Sequence, residues 1–266
     1  MYKKGRLYPI INLFYHLTRP IVDLRLAFIA IINYIGYIKD LQQFKELTRN
    51  LRIPLQDLNP QLFDKTPLTP IDHHYFYQQL WAFKDILKIQ PPAHLDLGST
   101  VAFSGYLAQI IPTTFADIRP PNVHIENLKI LKADLLNLPL GNESQESISC
   151  LHVIEHIGLG RYGDALNPSG SQEACKEIAR TLKKGGRLYL SVPIGRERIC
   201  FNAHRVFNPK TIVEYFPDLK LIEFSVVDDN GMLHENTNWQ DFQLQDYGCG
   251  LFLFEKPQIS KPPRFP

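Results

Sequence analysis

The chain has 266 residues and a mass of 30.7 kDa, with 44% hydrophobic and 21% charged residues. This is enough for one large domain, or one domain plus an extension, and it argues against global disorder. The 20 prolines and 15 glycines lie near the average share and exclude collagen-like and low-complexity chains. A net charge of +2 with pI ≈ 8.3 gives no argument for a nucleic-acid partner.

The four cysteines, Cys150, Cys175, Cys200 and Cys249, form no CxxC pair. They are too sparse for a disulfide scaffold, so reduced thiols in a cytoplasmic protein are expected. At the start, Lys3, Lys4 and Arg6 precede an apolar run, but Thr18-Arg19-Pro20 is no small-x-small cleavage site, so secretion is not expected. Leu26 to Ile38 is 13 residues without a charge. Spanning a bilayer takes about 20 such residues, so this reads as a buried or interfacial helix. Five basic residues (Lys3, Lys4, Arg6, Arg19, Arg25) face one acid, Asp23. Residues 1–40 are therefore expected to pack on the main domain, to join a second subunit, or to lie on an anionic membrane surface.

Residues 51–72 carry four prolines and little periodicity, which predicts a linker. A helix is predicted over 73–89, with Phe76, Leu80, Phe83 and Leu87 on one face and Pro91-Pro92 as its stop. From there the pattern alternates. Strands are expected at 93–98, 113–118, 128–134, 147–154, 187–193, 219–227 and 249–256. Helices are expected at Val101–Ile111, at Ser171–Leu182 with Ala174, Ile178 and Leu182 inward, and at Thr211–Phe216. This predicts a doubly wound, mostly parallel seven-stranded α/β sheet closed by an antiparallel hairpin. The division expected is an N-terminal helical extension with linker (1–75), a main domain (76–256) and a proline-rich tail (257–266).

In an open α/β sheet, ligands bind beyond the carboxyl ends of the strands. Asp96, Gly98, Ser99 and Thr100 follow the first strand; Asp117, Asp134 and the trio His152, Glu155, His156 follow the next three. Asp117 lies 19 residues after Gly98, close to the ~20 that separate a glycine turn from an acid gripping ribose hydroxyls. A carboxylate suits a vicinal diol because its two oxygens accept two hydrogen bonds. The competing role for Asp117 is a cap where the chain turns away. His156 is placed to serve as a general base, its ordinary pKa suiting neutral pH, or else to orient the turn. Tyr162 and Arg161, in GLGRYGD, could orient a substrate. Arg196, Arg198, His204 and Arg205 follow the fifth strand and could fork onto an anion: phosphate, carboxylate or acidic sugar.

HLDLGS, FADI, KADLLNLPL, SISCLHVIEHIG and LKKGGRLYLSVP follow one another in the order and spacing that resemble class I S-adenosylmethionine-dependent methyltransferases. The resemblance covers about residues 76–256. Within that class, HVIEHIGLGRYGD and VPIGRERICFNAHRVF look closest to a bacterial family of unknown function. The resemblance implies a Rossmann-like methyltransferase fold and S-adenosylmethionine as cofactor. Its contacts would be Asp96, Gly98, Ser99, Thr100, Asp117, Ile118, Asp134, Leu135 and His152, with Asp134 and Leu135 at adenine. It implies direct methyl transfer to a small molecule or glycan. One departure matters: Thr100 and Ala102 stand where the family's glycine-rich turn has glycines, and their Cβ atoms take up room. The non-enzymatic alternative is a binding or scaffold module on the same fold.

A rival pattern is His152-x-x-Glu155-His156, the H-x-x-E-H order of some zinc peptidases. It requires a helix through 152–156, whereas the preceding run reads as a strand, whose residues alternate faces. No metal is therefore expected.

Overall fold

Aspartates start the two long helices at the beginning of the chain's described part, which comprises residues 8–49 and 51–258 of a computed structural model. Asp23 caps a helix over Leu24–Leu47 (α2), its Oδ1 accepting from the N–H groups of Arg25 and Leu26 at 3.1 Å. Asp72 caps His73–Ile89 (α3) through the N–H of Tyr75. The chain divides into two units between Pro70 and Ile71, slightly ahead of the boundary expected at 75, because α3 belongs wholly to the second.

The first unit contains Tyr8–Thr18 (α1) and α2, which takes in the whole charge-free run Leu26–Ile38. None of the described residues of α2 is buried, and Phe28, Ile31 and Ile35 are each more than half exposed. Asn33 Nδ2 donates to the Leu62 carbonyl at 2.6 Å and so ties the proline-rich stretch to α2. No helix among the described residues is long and apolar enough to cross a membrane. Lys3, Lys4 and Arg6, and the tail from 259 onward, lie outside the described residues.

The second unit is built on strands His94–Leu97 (β1), Thr113–Asp117 (β2), Leu128–Lys132 (β3), Gln145–Leu151 (β4), Leu182–Ile194 (β5), Lys220–Val227 (β8), Leu233–His234 (β9) and Gly248–Glu255 (β10). A separate ribbon pairs Arg198–Cys200 (β6) with His204–Val206 (β7). The order in the main sheet is β3-β2-β1-β4-β5-β10-β8-β9. The strands from β3 to β5 pair in parallel; β10 slots antiparallel between β5 and β8. The seven strands expected are the seven longer ones, and a two-residue eighth, β9, extends the edge beside Val226 and Val227.

Val101–Ala108 (α4), Gly170–Thr181 (α5) and Pro209–Tyr215 (α6) pack on the sheet with α3. One apolar cluster joins Leu95, Ile148, Ala174 and Ile178; the other joins Trp81, Ile86, Phe103 and Tyr189. Each large aliphatic or Phe side chain among them, fully buried, stabilises by about 1.5–3 kcal/mol. The inward face of α3 differs from the expected one. Gln78, Trp81, Ala82 and Ile86 are buried, while Phe76, Leu80 and Leu87 are exposed. Both stripes have helical spacing, and the buried one includes a polar residue: Gln78 accepts the hydroxyl of Ser191 in the sheet, which satisfies its amide oxygen. Strand β4 ends at Leu151, three residues before the expected end. His152 takes a left-handed φ of 57° and a 3-10 turn follows over Ile154–His156.

Candidate functional site

Parallel pairing of β1 with β2 sets Leu97 against Ala116, so the residues just beyond, Gly98 and Asp117, come together. Gly98 has φ 65°, and a Cβ there would lie 3.3 Å from Val153 Cγ1 and 3.4 Å from Asp117 Oδ2. The position favours glycine for its left-handed backbone, and the space beside it is tight at Val153. Beneath the turn, Asp96 is fully buried and accepts hydroxyls from Ser99, Ser104 and Ser149. Ser149 donates to Asp96, so it accepts from His94 Nε2–H, and His94 Nδ1 accepts from the Ser147 hydroxyl. Burial pushes the Asp96 carboxyl up to about 6 against its three hydroxyl partners, and burial pulls His94 down to about 3. Ser99 passes the order upward: its Oγ also accepts the N–H of Leu151.

A cavity of ≈ 380 Å³ opens at these strand ends. Of the residues that the sequence pointed to as cofactor contacts, Gly98, Ser99, Thr100, Asp117, Ile118, Asp134, Leu135 and His152 line it. Asp96 does not. It lies below the floor and acts through Ser99. Asp117 Oδ1 accepts the N–H of Arg119 at 2.6 Å, as a turn cap does, while Oδ2 faces Gly98. Asp134 accepts the N–H of Leu136 through Oδ1 and is exposed. Thr100 caps α4, its Oγ1 accepting from Phe103 N–H and from Gln79 Nε2. Ala102, the other residue standing in place of a glycine, is exposed and does not line the cavity.

The far wall carries His156 and Tyr162. His156 Nδ1 lies 2.6 Å from the Ala203 carbonyl, which only accepts, so Nδ1 bears the proton and Nε2 keeps a lone pair. Burial lowers the pKa of His156, with Arg161 and His152 adding to the shift against Glu155 and the Ala203 carbonyl. Arg161 does not line the cavity. Its Nη1 donates to the same carbonyl at 2.9 Å. Arg119, from the β2 end, lies 4.1 Å over the Tyr162 ring. Asp164 holds the loop by accepting from the N–H groups of Gly158, Gly160 and Tyr162.

The H-x-x-E-H pattern does not form a helical ligand pair. The left-handed turn at His152 and the short 3-10 turn after it put Glu155 between the two rings, 2.7 Å from His152 Nδ1 and 3.7 Å from His156 Nε2. His152 Nε2 and Glu155 Oε2 are buried and have no hydrogen-bond partner. Burial lowers the His152 pKa, but the charges of Cys249 and Glu155 outweigh it and leave it raised, to about 10.

The predicted anion cluster is not brought to the cavity. None of Arg196, Arg198, His204 and Arg205 lines it. Arg205 is 6% exposed, and its guanidinium donates to the carbonyls of Ile157 at 2.6 Å, Pro168 at 3.3 Å and Asn167 at 3.4 Å. Arg198 donates to the carbonyls of Arg196 and Asp246. Burial lowers the pKa of His204, whose ring lies 5.0 Å from that of Tyr247. Tyr75, Arg119 and Asp164 line the cavity without having been singled out from the sequence. The signal for Arg119 was its place two residues after Asp117. That for Asp164 was the glycine-rich loop, whose amide groups need an acceptor.

Comparison with known proteins supports the fold. The chain resembles the N-methyltransferase NodS of Bradyrhizobium japonicum, solved with S-adenosylhomocysteine, with TM-score 0.52 and 15% identity over 75% of this chain and 94% of that one. It also resembles the 1,6-didemethyltoxoflavin-N1-methyltransferase of Burkholderia thailandensis, with TM-score 0.50 and 14% identity over 70% and 79%. No protein of curated function matches the sequence. Residues 138–230 match the family described as "Caenorhabditis protein of unknown function, DUF268". This corrects the expectation of a bacterial family: the description names a nematode genus. The second unit of this chain has the Rossmann-like fold of the class I methyltransferases.

Proposed function

We propose that the chain binds S-adenosylmethionine in the cavity at the ends of β1 to β4 and transfers its methyl group to a small molecule. The observation that carries this reading is the pairing of Asp117 with Gly98. One carboxylate oxygen holds the turn while the other faces a glycine whose left-handed backbone disfavours any side chain. The residues fit the cofactor: ≈ 380 Å³ lies in the range of small-molecule sites. Asp117 would accept the ribose hydroxyls, and Asp134 with Leu135 would meet the adenine. Thr100 keeps its hydroxyl on the α4 cap, and Ala102 stays out of the cavity, so neither replacement closes it.

When bound, the cofactor supplies an electrophilic methyl group on a sulfonium. The chain itself supplies position and a base. His156 Nε2 can take a proton from an acceptor hydroxyl or amine, and Tyr162 bears on its ring edge-on at 5.4 Å. Arg119 is the arginine among the cavity's lining residues, and it favours an anionic or sugar-containing acceptor, a small molecule or glycan. The test is calorimetric titration with S-adenosylmethionine and S-adenosylhomocysteine. One saturable site for each is expected. Heat from neither would leave the scaffold alternative.

The exposed apolar side chains of α1 and α2 support a second proposal, that residues 1–40 rest on an anionic membrane surface. Flotation with anionic vesicles is expected, and a dimer that does not float would assign the same face to a second copy.

A further inference from the structure

Two histidines and a cysteine from distant parts of the sequence meet beside the cavity wall. His74 comes from α3, His152 follows β4, and Cys249 lies in β10. A ring nitrogen of each histidine and the Cys249 sulfur all lie within 4.8 Å of one another. We propose that His74, His152 and Cys249 form a binding site for a borderline-soft divalent cation, zinc above all, with Glu155 as the carboxylate that orients His152.

Four observations point the same way. His152 Nε2 is buried and has no hydrogen-bond partner, an expensive state unless something else binds it. Its other nitrogen is 2.7 Å from Glu155 Oε1, the carboxylate–histidine arrangement that fixes the tautomer of metal-bound imidazoles. The ligand set is nitrogen and sulfur, which suits zinc and not magnesium or calcium. Tetrahedral zinc with ordinary bond lengths spaces such atoms roughly 3.3–3.6 Å apart, so the half-buried His74 ring, stacked on that of His152 with centroids 5.5 Å apart, turns to close the set. Finally, the surface cleft reaching His74 is lined by Asp72, Asp228, Asp229 and Asp246, with no lysine or arginine among its lining residues. Arg198 meets Asp246 from outside at 3.8 Å, and His234 meets Asp228 at 3.0 Å. The cleft gives a cation a path to the cluster.

On binding, the two metal–nitrogen bonds and the metal–sulfur bond form, His152 keeps its Nδ1 proton toward Glu155, and the proton displaced from the Cys249 sulfur leaves to solvent. Three protein ligands leave a fourth position for water. The ion would join α3 to the ends of β4 and β10.

The test uses the full chain, freed of metal by chelator and titrated with Zn²⁺, then with Co²⁺ as a spectroscopic stand-in. Expected are one equivalent bound, about one proton released per metal, a higher melting temperature with Zn²⁺, and thiolate-to-Co²⁺ charge-transfer absorption. Glu155→Gln should weaken binding about 10- to 100-fold, and His74→Ala and Cys249→Ser should weaken it more. Cys200→Ser should leave it unchanged. His74 is only half-buried, so its variant tests the site even where Cys249→Ser fails to fold. Absence of saturable binding at micromolar metal would overturn the proposal, as would binding that survives His74→Ala. Rapid alkylation of Cys249 without any metal uptake would also overturn it and assign the cluster to a thiolate–imidazolium pair.

Discussion

The carboxyl edge of the sheet has two halves that treat their polar residues differently. At the ends of β1 to β3, Asp117 and Asp134 each hold one backbone N–H and present the rest of the carboxylate to a cavity. Beyond β5, Arg198 and Arg205 are turned onto backbone carbonyls, and neither they nor Arg196 line the cavity. In sequence the two sets look alike: charged residues after an apolar strand. What separates a binding group from a structural one is whether the protein itself satisfies it. An aspartate has more acceptor sites than a single turn uses. A guanidinium beside a loop with orphan carbonyls is consumed by them.

The sharpest way to break this division is at Arg205. Arg205→Met keeps the stem and removes the donors, leaving the carbonyls of Ile157 and Pro168 without them in a partly buried loop, while Asn167 still accepts the N–H of Gly170. Urea unfolding should show a loss on the order of 2–3 kcal/mol. A loss below about 1 kcal/mol would mean that the guanidinium is replaceable there by water, and would return Arg205 to the list of ligand-binding candidates.

The next effect concerns the buried polar chain under the cavity floor. Asp96 has its pKa raised to about 6 and His94 has its lowered to about 3. Between pH 4 and 6 the folded protein holds a proton on Asp96 that the unfolded chain lacks. The unfolded chain holds one on His94 that the folded protein lacks. For Asp96, stability is full at low pH and is lost as pH rises toward 6. For His94 it is full above 6.5 and lost as pH falls. The two slopes cancel. Asp96→Asn removes the first, so its stability relative to wild type should climb by ~2 kcal/mol from pH 4 to 6. Urea melts of both proteins across that range test it. Parallel pH curves would show that Asp96 is ionised in the folded state.

Asp117→Asn tests the open half directly. Asparagine keeps an oxygen for the Arg119 N–H but loses the charge. Affinity for S-adenosylmethionine should fall by on the order of 1.5–3 kcal/mol, about 10- to 150-fold, with the melting temperature unchanged. Unchanged affinity in a protein that binds the cofactor would reduce Asp117 to a cap.

Much of this was legible in the sequence, because each element repeats a local physical preference. Strand, glycine, helix and acid recur with the spacing that the sheet imposes, and Ala174, Ile178 and Leu182 are fully buried as their spacing predicts. The face of α3 was not legible. Two apolar stripes compete there, and the one that wins contains Gln78, which is buried only because Ser191 meets it from 113 residues away. His74, His152 and Cys249 show nothing in common until the fold joins them. The fate of Arg205 depends on carbonyls that a loop leaves open, and no sequence spacing reports that. The charge-free run of α2 predicts a helix well, but helix propensity does not say what covers its face.

The smallest effect is expected at Arg198, and it decides whether the edge is divided by location or only by burial. Arg198 resembles Arg205 in donating to carbonyls, those of Arg196 at 3.0 Å and Asp246 at 2.7 Å. It differs in exposure: its side chain is 36% accessible, and its carboxylate neighbour, Asp246, is 80% accessible at 3.8 Å. Water can replace what an exposed guanidinium gives, and an exposed pair is worth about 0–1 kcal/mol. Arg198→Ala should therefore leave unfolding within about 0.5 kcal/mol of wild type. It should also leave S-adenosylmethionine affinity unchanged, since Arg198 stands outside the cavity. A shift of tenfold or more in cofactor affinity would mean that the β6–β7 ribbon acts on the cavity after all, and the anionic acceptor would then be sought at Arg198 instead of Arg119.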